Sequence, residues 1–341
     1  MTVEKMAEYL WGLPEQFASI LEQGISLPVK YQHNYSNIVV TGLGGSAIGG
    51  DIIRTYALQK AQVPVIVNRD YDMPNFVNSD SLVLTVSYSG NTEETLSAYH
   101  HARTQGAAII AVTSGGKLAD IARQDGYGVV KIPGGLAPRA ATGYLFAPLA
   151  LIFEELGIVK GAKTDLKETV QVLKAIREGI HPGVDFPENQ ARVIAREMKD
   201  SLPIIWGSSA RSETAAMRWK TQINENAKSP TYYNIFPELN HNEIVGFGMP
   251  KDLLARLVII ILRDPADHPQ VKKRIEISKE IVRSHVKKIV EIQAQGESFL
   301  AKFYSLAYMG DYASFYLALE YGINPSPVET IDYLKAELAK A

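Results

Sequence analysis

A chain of 341 residues is longer than one hydrophobic core usually organises, so two domains are expected. Apolar residues make up 46% and charged residues 21%, with no low-complexity tract, and 35 Lys and Arg against 37 Asp and Glu lack the basic excess that neutralises a nucleic-acid backbone. Absence of cysteine excludes disulfides, thiolate metal sites and a cysteine nucleophile.

Apolar positions at Met6, Leu10, Leu13, Phe17 and Leu21 recur every three to four residues and predict a leading helix over Val3 to Glu22. Its glutamates, Glu4 and Glu8, stand where a signal peptide would be apolar. β-Branched runs follow at Ile38 to Val40, Val63 to Val67, Leu82 to Val86, Ala108 to Val112 and Val129 to Ile132, mostly separated by helix-length stretches. That alternation predicts a parallel, doubly wound sheet. A helix over Ala147 to Leu156 and a Gly-containing stretch from Gly157 to Thr164 place the domain boundary near Val159, dividing the chain into 1–158 and 159–341.

Beyond the boundary the pattern restarts. Helices are expected over Asp165 to Glu178 and Asn189 to Lys199, then a strand Pro203 to Ser209, a helix from Ala210, a strand Leu257 to Leu262, a helix near Gln270 to Arg283, a strand Lys288 to Ile292 and a long helix Ser298 to Tyr321. The run Leu257 to Leu262, the most apolar in the chain, is far short of the roughly 20 residues that span a bilayer. Neither a membrane nor a nucleic acid is an expected partner, and a cytoplasmic location is. I-V-V-T-G-L-G-G-S from Ile38 and P-I-I-W-G-S-S from Pro203 are weakly alike, as two domains of related design would be.

Two turns carry most of the chemistry. Gly42-Leu43-Gly44-Gly45-Ser46-Ala47 satisfies the dinucleotide fingerprint, and Asp70 lies about 20 residues on, where a ribose-binding carboxylate would stand. Glycine at a strand-to-helix turn also has a packing reason to exist, and the Ser46 hydroxyl favours a compact phosphate or sugar hydroxyl. In Ser87-Tyr88-Ser89-Gly90-Asn91-Thr92-Glu93-Glu94-Thr95, four hydroxyls crowd one strand-to-helix turn, more than capping needs. A phosphate at such a helix start would collect backbone N–H donors and the positive dipole end without any cation.

At these residues the chain resembles the sugar isomerase (SIS) family, and within it the bifunctional phosphoglucose/phosphomannose isomerases. G-L-G-G-S around Ser46, S-Y-S-G-N-T-E-E-T around Ser89, A-P-R-A around Arg139, N-E-N-A-K around Glu225, P-E-L-N-H-N-E around His241 and I-D-Y-L-K ending at Lys335 match that family's motifs in order. The resemblance implies two SIS domains, each a three-layer αβα, flavodoxin-like parallel sheet flanked by helices. It implies interconversion of glucose 6-phosphate or mannose 6-phosphate with fructose 6-phosphate through a cis-enediol, with no cofactor and no metal. Gly45, Ser46, Ser87, Ser89 and Thr92 match the substrate contacts, Glu225 the base, Arg139 the group beside the enediolate, and His241 and Lys335 the ring-opening groups. In relatives the histidine comes from the neighbouring subunit, which implies a homodimer with shared active sites. One segment departs: where relatives carry threonine in a T-P pair, this chain reads Asn324-Pro325-Ser326-Pro327, so either Ser326 keeps the hydroxyl or Val328 faces the sugar.

Independent chemistry is compatible with these roles. Proton abstraction next to a carbonyl needs a tuned base and a partner for negative charge, for which Glu and Arg are suitable. Asn224 and Asn226 could hold the Glu225 carboxylate in place, against the bland alternative of a helix-surface glutamate paired with Lys228. Arg139, by the same standard, reads as a surface cation in a loop, and Lys335 as a solvated charge on a terminal helix whose Leu334 and Leu338 face inward. His241 can give and take a proton near neutral pH. The pair His100-His101 cannot converge on one ion from adjacent helical positions. The rival readings are a non-catalytic phosphosugar-binding protein and a nicotinamide-dependent oxidoreductase.

Overall fold

The computed structural model describes residues 2–338 and 340. Contacts divide the chain into two compact units, each discontinuous in sequence: Gly12–Lys174 with Gly296–Lys302, and Met1–Trp11 with Ala175–Gln295 and Phe303–Ala341. Residue 159 thus falls inside the first of these, which carries five strands; the other carries four.

The five-stranded unit runs α2 (Leu13–Gln23), β1 (Asn37–Thr41), α3 (Gly45–Ala57), β2 (Val65–Asn68), β3 (Ser81–Val86), α4 (Glu93–Thr104), β4 (Ala108–Thr113), α5 (Gly116–Gln124), β5 (Gly128–Lys131) and α6 (Thr142–Glu155). α1 (Val3–Trp11) precedes it and is a separate helix, because Gly12 and Pro14 break what the periodicity joins into one. All strands pair in parallel in the order β2-β1-β3-β4-β5. β3 is buried at every position, as a strand covered on both faces must be. Val39, Val83, Ile109 and Ala111 pack with Ala98, Tyr99 and Ala102 of α4 and Leu118 and Ala122 of α5 on one face. On the other, Gly50 lets α3 approach Val40, whose side chain would stand 3.1 Å from an added Cβ. The result is three αβα layers.

α7 (Ala162–Ile180), α8 (Gln190–Met198), β6 (Leu202–Ser208), α9 (Glu213–Gln222), β7 (Tyr232–Phe236), α10 (Lys251–Leu254), β8 (Leu257–Arg263), α11 (Pro269–Val282), β9 (Lys288–Gln293), α12 (Phe299–Glu320) and α13 (Glu329–Leu338) complete the chain. The second sheet, also parallel throughout, has the order β7-β6-β8-β9. Strand β7 was not expected from the pattern. Trp206, Ile259 and Ile261 pack with Ile275 and Val282 of α11 on one face, and Gly207 brings α9 against β6 on the other. α12 lies on α9, where the Trp219 indole donates to Leu306 O at 2.8 Å. No described helix is long and apolar enough to cross a membrane.

Candidate functional site

The connections after β1, β3, β4 and β5 meet at the carboxyl ends of the five-stranded sheet. After β1, Gly44 at φ +54° turns the chain into α3, and Gly45 lies so near the connection after β5 that a Cβ there would stand 2.8 Å from Pro138 O and 3.3 Å from Arg139 N. Gly45 is a position the fingerprint leaves open, and that contact gives it a packing reason without a dinucleotide. Asp70, the residue the fingerprint would assign to a ribose, is exposed and accepts from Tyr71 N at 2.7 Å. After β3, the Ser46 hydroxyl accepts from Tyr88 N at 3.3 Å, so the first two connections are bonded to each other.

The hydroxyl turn is ordered from within. Ser87 Oγ lies 2.9 Å from Thr92 Oγ1 and accepts from Gly90 N at 3.1 Å, while Ser89 Oγ, exposed, accepts from Asn91 N at 3.2 Å. Thr92 is the N-cap of α4 yet makes no side-chain capping bond. Thr95 Oγ1 is buried with no hydrogen-bond partner in the structure. Gly90, at φ +70°, faces the connection after β4, where a Cβ would collide with Gly115 O at 1.8 Å. Gly45, Ser46, Ser87, Thr92 and the backbone of Arg139 are therefore brought into one neighbourhood, with Ser89 at its solvent edge. Arg139 itself is 6% exposed, in a short 3-10 turn from Pro138 to Ala140. It is not the surface cation its loop setting implies, because the turn is packed against α3.

Glu225 lies in the four-stranded unit. α9 ends at Gln222 and continues as a π-helical turn, Ile223–Ala227, before Lys228 reverses the chain at φ +53°. An inserted π turn is a recurrent feature of functional sites. The flanking asparagines are committed to the turn: Asn224 Nδ2 donates to Ser229 O at 2.7 Å and Asn226 Nδ2 to Ser314 Oγ at 2.9 Å. The Lys228 ammonium donates to the carbonyls of Glu225 at 2.8 Å and Pro325 at 3.1 Å, so it links the Glu225 turn to the Ser326 segment. A cavity of about 610 Å³ opens beside this link, lined by Asn224, Glu225, Lys228, Val328, Glu329 and Thr330 among others.

Ser326 is 6% exposed and its hydroxyl donates to Thr2 O at 3.1 Å, whereas Val328 lines the cavity. Thr330, with a hydroxyl on the same lining, was not singled out from the sequence, and only its place two residues past Val328 could have found it. Lys335 is exposed on α13, no residue of which is buried. Leu334 and Leu338, expected to face inward, are each 57% exposed, so that expectation is corrected: in this structure α13 offers its apolar residues to solvent. His241 ends a 3-10 turn, Glu238–His241, and is exposed on a well-anchored segment. Leu239 is buried beside it, Asn240 Nδ2 donates to Ser278 Oγ at 2.7 Å, and Glu243 accepts from Trp206 Nε1 at 2.7 Å and Asn234 Nδ2 at 2.6 Å. Neither His241 nor Lys335 is among the residues lining the Glu225 cavity. Among the described residues no group of three or more His, Asp or Glu could hold a metal ion, and His101 Nδ1 instead accepts from Met73 N at 3.0 Å.

Behind Glu225 stands a buried ion pair that sequence reading missed. Arg218 donates to Asp311 at 2.8 Å, with both side chains almost wholly buried. Burial pushes the Asp311 carboxyl above its usual range, while Arg218 and Gln222 pull it back.

Residues 33–132 match the SIS domain family, and residues 187–338 match the bacterial phospho-glucose isomerase C-terminal SIS domain. The chain is 48% identical to a bifunctional phosphoglucose/phosphomannose isomerase of Caldicellulosiruptor bescii over 98% of this chain and 99% of that one. Its identity to a protein of the same description from Aquifex aeolicus is 35%, over 90% and 91%. Among solved structures, the C-terminal domain of glucosamine-fructose-6-phosphate aminotransferase from Francisella tularensis shares the fold, with a TM-score of 0.71 at 13% identity over 94% of this chain and 96% of that one. Identity of 48% and 35% to two such isomerases over nine-tenths or more of each chain, together with family matches in both halves, means that the chain belongs to the bifunctional phosphoglucose/phosphomannose isomerase family of SIS-domain proteins.

Proposed function

We infer that this chain is an aldose–ketose isomerase that interconverts glucose 6-phosphate and mannose 6-phosphate with fructose 6-phosphate through a cis-enediol. The observation that carries this is the 48% identity to a bifunctional isomerase across essentially the whole of both chains. The reaction moves one proton between C1 and C2 and one between the oxygens, so oxidation at one carbon balances reduction at the next and no external redox cofactor is needed.

The roles follow from chemistry. The hydroxyls of Ser46, Ser87, Ser89 and Thr92, with the start of α4, hold the phosphate; the connections bonded through Ser46 and Tyr88 N support that reading. Glu225 takes the proton from C2 and returns it at C1, and the cavity beside it supports a reactant there. Arg139, with its buried side chain, balances the charge of the enediolate. His241 and Lys335 open the ring. An exposed histidine on an anchored segment is what a group serving a neighbouring subunit requires, which supports a homodimer with shared sites. In the Asn324 to Val328 segment, Ser326 is read as a substrate contact only if its bond to Thr2 O is exchanged; as the segment stands, Val328 faces the cavity. The sequence halves 1–158 and 159–341 divide phosphate binding from proton transfer, and the enzyme works in the cytoplasm.

The test is Glu225→Gln. Exchange of the C2 proton with solvent should fall by at least the ~10²–10⁴-fold that a general base contributes, while fructose 6-phosphate still raises the melting temperature. Exchange at the wild-type rate would remove Glu225 as the base. Stabilisation by NAD and not by fructose 6-phosphate would favour the oxidoreductase reading instead.

A further inference from the structure

Three polar side chains spaced four apart along α9 and its π turn reach the same stretch of α12. Arg218 Nη2 donates to Asp311 Oδ2 and Gln222 Nε2 to Asp311 Oδ1, both at 2.8 Å. Four residues on, Asn226 Nδ2 donates to Ser314 Oγ at 2.9 Å, and that hydroxyl donates back to Asp311 O at 2.7 Å. All five residues are buried, none more than 2% exposed.

Such a network is a poor way to glue two helices together. A buried ion pair often stabilises less than apolar packing of the same volume, because both charges lose their hydration. What directional bonds provide is a fixed rotation. The need for one is visible at Gln222, where the regular helix gives way to a π turn and the backbone can continue in more than one phase. With Asn226 clasped to Ser314, Ile223, Asn226 and Ala227 turn inward and are buried, and Asn224, Glu225 and Lys228 line the cavity. Without that clasp, a shift of phase by one residue would carry the Glu225 carboxylate off the cavity.

We propose that Asp311 and Ser314 are positioning residues, whose bonds to Arg218, Gln222 and Asn226 set the phase of the π turn and so aim the Glu225 carboxylate. The proposal rests on the reading of Glu225 as the base. Neither residue touches substrate; each acts through the turn. Proton abstraction depends steeply on the placement of the base, about 100-fold for a misplacement of about 1 Å, so the effect belongs to kcat.

Ser314→Ala removes the clasp nearest Glu225 with the loss of one oxygen. Its kcat for fructose 6-phosphate should fall between about tenfold and about a hundredfold, with KM nearly unchanged and the acid limb of the kcat–pH profile displaced. Asp311→Asn should act in the same direction and more strongly. Ser305→Ala is the control: a buried serine of α12, more than two turns before Ser314, whose hydroxyl accepts from Gln295 N at 2.8 Å. It should lose comparable stability and keep its kcat and pH profile. A folded Ser314→Ala with wild-type kcat and acid limb overturns the proposal whether or not Asp311→Asn folds. If that happens while Glu225→Gln has lost C2 proton exchange, the positioning role alone fails; if Glu225→Gln keeps exchange, the base and its positioning fall together.

Discussion

The two sheets share a path and differ in chemistry at the same place. In each, the first strand lies between the second and the third, and the fourth follows the third, all in parallel: β2-β1-β3-β4 in one and β7-β6-β8-β9 in the other. After β3 come the hydroxyls of Ser87, Ser89 and Thr92 at the start of α4. After β8, at the corresponding point, come two buried carboxylates, Asp264 and Asp267, the second accepting from the amide of the first at 3.3 Å. On the reading proposed above, a phosphate would meet hydroxyls at the first turn and carboxylates at the second. Topology supplies a turn at a carboxyl strand end twice, and side-chain type makes the two chemically unlike. The weak likeness between the stretches from Ile38 and Pro203 extends to the backbone path alone.

Moving the acidic character of one turn into the other breaks the comparison with the largest expected effect. Ser87→Asp sets a carboxylate beside the proposed phosphate position, and the Kd for fructose 6-phosphate measured by calorimetry should rise by about 100-fold or more, or ~2.7 kcal/mol. Unchanged affinity would move the phosphate site elsewhere.

Next in size is Gly90→Ala, which needs a Cβ where Gly115 O stands and strains a left-handed backbone. Unfolding in denaturant should show a loss of about 2–4 kcal/mol, against none if the two connections can separate freely.

Asp267→Asn sharpens the comparison by the smallest amount. Burial holds the Asp267 carboxyl above its ordinary value, so the native state keeps its proton to higher pH than the unfolded chain does. Stability therefore declines as pH rises from the ordinary carboxylate range through the raised value. The asparagine variant lacks that decline and should match the wild type in acid while exceeding it by about 1 kcal/mol or less near neutrality, the scale of one exchanged hydrogen bond. A variant less stable than the wild type at neutral pH would mean that the charge, not the shape, of Asp267 is wanted there.

Much of the fold was legible because its signals are local. β-Branched runs ending in Gly and Ser marked the strands of the first sheet, and the hydroxyl crowding at Ser87 to Thr95 marked the turn that the structure bonds together. Pro14 could have divided the leading helix, and the β-formers Tyr232, Tyr233, Ile235 and Phe236 could have disclosed β7; that edge strand is short and lies between Pro230 and Pro237. What sequence could not supply was burial. Arg139 and Lys335 look alike as isolated cations, and only packing against α3 distinguishes a buried guanidinium from a solvated ammonium. Nor could spacing alone reveal that Arg218, Gln222 and Asn226 share partners 88 to 93 residues away.

The indole of Trp219 sits against Gly310, where an added Cβ would come within 2.4 Å of the ring. This side chain adjoins both Arg218 in sequence and Asp311 in space through its glycine neighbour, so it occupies the joint that orients the π turn. The chain has two other tryptophans, Trp11, which is part-exposed, and Trp206. With both replaced by phenylalanine, the remaining tryptophan emission, excited on the long-wavelength edge where tyrosine does not absorb, would come from that joint alone. The molecule thus carries its own optical probe, in which a red-shifted spectrum reads as water entering between α9 and α12 while turnover is followed in the same cuvette.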